Sequence, residues 1–112
     1  QRAAAYGGAG ADASMSPSRQ KSPEEIFEFC DRFRRQDKDT PLVVVPTSFN
    51  SVTEAELAQH GVNIVIYANQ LTRSAFPAMQ STAVEILKNH RALEVDAKLM
   101  PFQEIITLID DM

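Results

Sequence analysis

Four polar side chains are candidates for chemistry, because each follows a run of residues that predicts a β-strand. Thr47 and Asn69 follow the two most apolar runs, and Ser18 and Arg19 follow a weaker one. Strands of parallel α/β proteins carry site residues at their carboxyl ends, so Thr47 and Asn69 could line a site or cap the next helix. Arg19 could pair with an anionic group such as a carboxylate, or be a solvated charge beside Lys21. Ser18 could donate a hydrogen bond to a substrate or stabilise a turn.

The cysteine and the two histidines favour structural roles. Cys30 falls on the apolar stripe of a predicted helix, which indicates a buried thiol rather than a nucleophile. His60 and His90 stand at predicted helix ends, where the helix dipole favours a cation. Two isolated histidines do not make a metal site, and no Ser–His–Asp order, glycine-rich phosphate loop or paired carboxylates stand out. The residues alone predict no metal ligands in this sequence.

Composition narrows the class of protein. The 112 residues are 44% hydrophobic and 23% charged, with a net charge of −4. This balance supports a packed core and argues against nucleic-acid binding, which needs a basic face. The longest apolar stretch is far shorter than the ~20 residues that cross a membrane. One cysteine excludes an internal disulfide and fits a reducing, cytoplasmic compartment.

The amino-terminal part predicts a helix end, a weak strand and an amphipathic helix. Residues 1–6 are alanine-rich and glycines follow them, so the chain opens in mid-helix and is expected to be cut from a longer protein. Residues 11–16 predict a weak strand. The segment SPEE at 22–25 predicts a capping box, and the charged run 32–39 is expected to end that helix in solvent. The apolar stripe of the helix comprises Ile26, Phe29, Cys30 and Phe33.

Two later runs, LVVV at 42–45 and NIVIY at 63–67, predict strands buried on both faces. Between them a helix begins at a cap at Ser51 or Thr53 and ends at Gly61.

Two helices complete the predicted order of elements. A long one runs from 72 to about 90, with Pro77 delaying its start or bending it, and a last one covers 101–109. Strands that alternate with helices predict an α/β protein with parallel strands and right-handed crossovers. We therefore expect the strand 42–45 to lie between the other two.

The segment 41–80 carries several short motifs in a fixed order along the chain. They are Val45-Pro46-Thr47, His60-Gly61, Ala68-Asn69, 71–75 and 78–80, and GADA at 10–13 and SPEEI at 22–26 come before them. The segment resembles the phosphoenolpyruvate mutase family of the isocitrate lyase superfamily. That family has a strand ending in V-P-T, a short helix, a strand ending in A-N, and a helix that begins L-x-R-S-A, and GADA and SPEEI match the strand and helix that precede them.

The resemblance implies the C-terminal part of a TIM (β/α)₈ barrel, about strands six to eight with their helices. Complete barrels need roughly 250 residues, so about half is expected to be missing. The family's Mg²⁺ ligands, lid loop and catalytic aspartate have no counterpart here, which places the Mg²⁺ ligands outside this sequence. The implied division is 1–9 for the end of a helix, 10–40, 41–61 and 62–90 for βα units, and 91–112 for a C-terminal extension and helix.

One departure concerns the strand before Ser18. Family members carry His-Ser-Lys or His-Ser-Arg there, and the histidine helps to bind the phosphoryl group. This chain has Pro17 at the histidine position and keeps Ser18 and Arg19. Proline has no N–H to donate, so phosphoryl binding through this strand is in doubt and the catalytic residues are unassigned.

The resemblance implies an enzyme that interconverts phosphoenolpyruvate and phosphonopyruvate, two small-molecule substrates. Two alternatives keep the fold: phosphonopyruvate hydrolysis and a carbon–carbon lyase reaction. A third is a non-catalytic fragment that only associates. The family exchanges its eighth helix between subunits, which implies a homo-oligomer in which the long helix, 72–90, is exchanged.

Overall fold

A computed structural model describes residues 1–16 and 22–109. The chain divides into a first unit, Gln1–Asn69, and a second unit that begins at Gln70. The described residues contain no helix that is both long enough and apolar enough to cross a membrane.

A three-stranded parallel sheet organises the first unit. The strands are β1 (Ser14–Ser16), β2 (Leu42–Val44) and β3 (Ile64–Val65), in the spatial order β1-β2-β3. Ser14 pairs with Leu42, and Val44 pairs with Val65. The parallel arrangement and the central position of the 42–45 run are confirmed, although every strand is shorter than its pattern predicted.

Three helices accompany this sheet: α1 (Arg2–Gly8), α2 (Glu24–Gln36) and α3 (Glu54–Gln59). A capping box begins α3, in which the Thr53 hydroxyl accepts from the Glu56 amide while the Glu56 carboxylate accepts from the Thr53 amide. Of the two predicted caps, the structure thus selects Thr53. The N-cap of α2 is Pro23 and not Ser22 as predicted.

The core of the first unit lies between the sheet and helices α2 and α3. Leu42 and Val44 point into it, and because side chains alternate along a strand, Val43 lies on the opposite face. The helices and loops contribute Ile26, Cys30, Phe33, Phe49, Leu57 and Val62.

The prediction that β3 is buried on both faces is wrong for this chain. Met15, Val43 and Ile64 lie in register across the sheet on the face opposite the core. Met15 is 61% exposed and Ile64 is 47% exposed, and Ile66 beyond the strand is 41% exposed. The packed helices cover one face of the sheet, so alternate apolar side chains remain in contact with solvent.

Cys30 is a free, fully buried thiol in α2. Burial is the main cause that raises its pKa to about 11, and the Asp31 carboxylate adds to the shift. Thiol reagents attack the thiolate, which this pKa keeps scarce at pH 8. We therefore expect Cys30 to react with a disulfide reagent at pH 8 at least about 100-fold more slowly in the native chain than in guanidinium. Equal rates before and after denaturation would show that the thiol is accessible.

The second unit consists of α4 (Gln70–Asn89), a 3₁₀ helix (Leu93–Lys98) and α5 (Phe102–Ile106). Pro77 lies inside α4, and the helix starts upstream of it, so the predicted delay of the start does not occur. The 3₁₀ helix was not predicted, and it buries Val95 completely. The left-handed φ of 55° at His90 directly follows the end of α4.

Candidate functional site

The carboxyl edge of the sheet brings the loops that carry Thr47 and Asn69 together. Thr47 follows β2 and Asn69 follows β3, and these strands are parallel neighbours. Both side chains are half-buried. The Thr47 amide donates to the Val45 carbonyl at 2.8 Å, and the side-chain oxygen of Asn69 is shielded from solvent. The two loops therefore lie where the sequence predicted them, and substrate contact by either residue stays a prediction.

The β2–α3 loop, residues 45–53, is anchored in the core. Phe49 is 0% exposed although it lies in neither a helix nor a strand. Pro46 is also buried, and Val52 packs against the core. These contacts hold the loop that carries Thr47 in one position. The sequence analysis missed Phe49, whose signal is a single large apolar residue among turn-forming ones.

A hydrogen bond joins the ends of the two loops. The Tyr67 hydroxyl donates to the Glu54 carboxylate at 2.7 Å. Tyr67 leaves β3 just before Asn69, and Glu54 is the first residue of α3. The Glu54 carboxylate accepts this bond and thereby raises the pKa of Tyr67, because the bond favours the protonated phenol. Neither residue was singled out from the sequence.

Pro17, Ser18 and Arg19 lie outside the described residues. The predicted substrate contacts of Ser18 and Arg19, and the consequence of Pro17 at the histidine position, stay predictions.

Arg34 occupies the opposite, amino-terminal edge of the sheet. Its guanidinium donates to the Gly61 carbonyl at 3.0 and 2.8 Å and to the Thr40 carbonyl at 2.8 Å. It also donates to the Asn63 side chain at 2.6 Å and to the Asp37 carbonyl at 3.2 Å. The prediction that the charged run 32–39 simply ends α2 in solvent is therefore wrong for Arg34, which ties α2 to the loop before β3.

His60 packs between α2 and α3. Its ring stacks on Phe27 with centroids 4.1 Å apart, and its Nδ1 lies 2.8 Å from an Asp31 carboxylate oxygen. Within 1–16 and 22–109 no group of three or more His, Cys, Asp or Glu side chains is placed to hold a metal ion. The described residues do not form a magnesium site.

A groove of about 600 Å³ is lined by residues of α1 and α2. Its lining includes alanines of α1, the Phe29 and Phe33 side chains, and the charged side chains of Glu28 and Arg32. The groove contains neither Thr47 nor Asn69. We place the candidate site at the strand ends because two neighbouring loops carry polar side chains there.

Parallel strands that alternate with helices, with polar residues after the strands, define the class of α/β proteins whose sites lie at the carboxyl edge of the sheet. Within this class, the chain belongs to the phosphoenolpyruvate phosphomutase family, because the model of that family matches residues 1–87.

Relatives of this chain include both mutases and a hydrolase. This chain is 41% identical over 112 residues to the phosphonopyruvate hydrolase of Variovorax sp. (strain Pal2), and the match covers 99% of this chain and 38% of the relative. A phosphoenolpyruvate phosphomutase structure from Streptomyces platensis subsp. rosaceus superposes with a TM-score of 0.84 at 32% identity, covering 94% of this chain and 36% of that one.

A phosphonopyruvate hydrolase in complex with oxalate and Mg²⁺ superposes with a TM-score of 0.77 at 42% identity. The match covers 91% of this chain and 35% of the hydrolase. The chain thus spans little more than a third of the length of these relatives.

Proposed function

We propose that this chain is the C-terminal part of a (β/α)₈ barrel enzyme that interconverts phosphoenolpyruvate and phosphonopyruvate. The observation that carries the proposal is the family match over residues 1–87. In the forward reaction the bond between phosphorus and the enol oxygen breaks, and a bond between phosphorus and the methylene carbon forms. Cytoplasmic location and Mg²⁺ dependence belong to the proposal.

The residues of this chain contribute binding groups in the proposal. The Thr47 hydroxyl and the Asn69 amide can donate hydrogen bonds to anionic oxygens of the substrate, and the anchored β2–α3 loop holds Thr47 in place. Ser18 and Arg19 are proposed as further ligands of the phosphoryl or carboxylate group. Mg²⁺ would stabilise charge on the substrate oxygens, with ligands from outside this sequence.

Phosphonopyruvate hydrolysis is the second candidate. The 41% identity to a hydrolase, against 32% to a mutase structure, favours it. In this reaction the carbon–phosphorus bond breaks, water supplies the oxygen that phosphorus gains, and the products are pyruvate and phosphate. Both candidates act on phosphonopyruvate.

Phosphorus NMR separates the two candidates. The full-length protein that contains these residues is incubated with phosphonopyruvate and Mg²⁺, with a reaction lacking protein as the control. A phosphoenolpyruvate signal supports the mutase, and an inorganic phosphate signal supports the hydrolase. Unchanged phosphonopyruvate would contradict both.

The 112-residue chain alone is expected to be inactive. It spans only 38% of its hydrolase relative, and its described residues hold no metal site, whereas the proposed chemistry needs charge stabilisation at the phosphoryl group. The same NMR assay should give a rate equal to the control without protein. Turnover by the purified 112-residue chain above that control would contradict the proposed division of the site.

A further inference from the structure

We propose that Tyr67 is a positioning residue, whose hydrogen bond to Glu54 sets the distance between the loops that carry Thr47 and Asn69. The inference deepens the proposed function and rests on it, because it assigns Tyr67 and Glu54 to support of the same site. Neither side chain needs to touch the substrate.

The Tyr67–Glu54 contact lies between the two loops, beyond the last backbone hydrogen bond that joins their strands. The β2–α3 loop is held from inside by the fully buried Phe49. The Ile66 amide donates to the Val44 carbonyl at 2.9 Å, and among the described residues this is the last ladder hydrogen bond before the chain reaches Asn69. Beyond it, the Tyr67–Glu54 bond of 2.7 Å connects the outgoing chain to the start of α3.

The start of α3 is itself fixed. The capping box of Thr53 and Glu56 places the first turn of the helix, so Glu54 is an acceptor on a defined backbone. A hydrogen bond to a carboxylate is stronger than a neutral one. Tyr67 is 59% exposed, so its ring buries little surface that would hold it without the bond. The bond therefore restrains the segment that carries Asn69 against the ordered first turn of α3.

Tyr6 offers a matched control. It is 60% exposed and lies in α1, and its hydroxyl makes no hydrogen bond to the described residues. Tyr67→Phe and Tyr6→Phe remove the same atom from side chains of equal exposure. Glu54→Ala removes the acceptor, and Glu54→Gln keeps an acceptor oxygen in nearly the same place.

The kinetic test uses the full-length protein with phosphonopyruvate and Mg²⁺. We expect Tyr67→Phe and Glu54→Ala each to raise KM by about three- to tenfold, the range of one hydrogen bond. The change in kcat should be smaller, and the double variant should be no worse than either single one. Glu54→Gln should lie between Glu54→Ala and the unchanged protein, because a neutral acceptor makes a weaker bond, and Tyr6→Phe should stay within about twofold of the unchanged protein. A Tyr67→Phe variant that behaves like Tyr6→Phe, or additive effects in the double variant, would overturn the inference.

A second readout needs no turnover. Amide hydrogen exchange of segments 45–53 and 66–69 in the same proteins reports the order of the two loops. Exchange in both segments should quicken in Tyr67→Phe and Glu54→Ala and stay unchanged in Tyr6→Phe. If the unchanged protein shows no activity, the proposed function fails while exchange still decides the coupling. Unchanged exchange in Tyr67→Phe would refute the coupling even in an active enzyme.

Discussion

Gly61→Ala is expected to lower the free energy of unfolding by about 2–4 kcal/mol, more than other glycine substitutions in this chain. Gly61 has a φ of +85°, which an alanine adopts only with strain. An added Cβ would also lie 2.7 Å from Arg34 Cγ and 2.8 Å from Arg34 Nε. Arg34 cannot swing away without giving up its bonds to the Gly61 and Thr40 carbonyls and to Asn63.

Substitutions at two other glycines distinguish the backbone strain from the clash with Arg34. Gly10 has a φ of +96° with open space where a Cβ would stand, so Gly10→Ala should cost only the backbone strain, about 1–2 kcal/mol. Gly8, the last residue of α1, also has open space and no such φ. Gly8→Ala should be neutral or stabilise by up to about 1 kcal/mol.

Urea denaturation of the four proteins, followed by circular dichroism at one protein concentration, measures the differences. A double variant adds a further check: once Arg34→Ala has removed the obstructing side chain, Gly61→Ala should cost no more than Gly10→Ala. If Gly61→Ala and Gly10→Ala lower the free energy of unfolding equally when Arg34 is present, the Arg34 side chain moves aside and does not fix the loop.

The sequence was most informative where a local pattern was sufficient. The apolar run at 42–45 lies between two prolines, and its lack of polar alternation is typical of a buried parallel strand. Its pairing with both other strands follows from the alternation of strands and helices. The capping box at Thr53 is likewise a local signal, since the partner side chain is three residues away.

Contacts between residues distant in sequence were not predictable from a single chain. Arg34 stands in a charged run that resembles any solvent-exposed helix end, and its partners at Gly61 and Asn63 lie 27 and 29 residues away. The bond between Tyr67 and Glu54 spans 13 residues. Thr47 and Asn69 were singled out because they follow predicted strands, whereas the contacts that support their loops were missed.

We expect the 112-residue chain to associate with further copies of itself, because it leaves apolar surface and strand edges uncovered. β1 and β3 are edge strands of the described sheet, and parallel strands normally have both faces covered. Met15 and Ile64 are exposed on the face opposite the core. In the second unit the exposed apolar side chains of α4 and α5 include Leu71, Phe76, Met79, Leu87, Phe102 and Ile105.

Such exposed apolar surface in water favours contact with a second copy. We expect sedimentation of the 112-residue chain at micromolar concentration to give a mass well above 12.4 kDa, which is the mass of one copy. We propose that the long helix, α4, is exchanged between subunits. If association uses the sheet instead, Ile64→Lys should reduce it strongly and Leu87→Lys should not. If it uses the long helix, the order of the two effects is reversed.

Both substitutions place a charge on an exposed position, at 47% exposure for Ile64 and 73% for Leu87, so neither buries that charge within a single copy. Burying the same lysine between copies costs several kcal/mol, roughly 2 or more, unless it finds a partner there. A loss of mass in one variant therefore reports the surface that is covered on association. A cooperatively unfolding 12.4 kDa monomer in the unmodified chain would show that the exposed face needs no cover, and that the chain forms a sufficient core by itself.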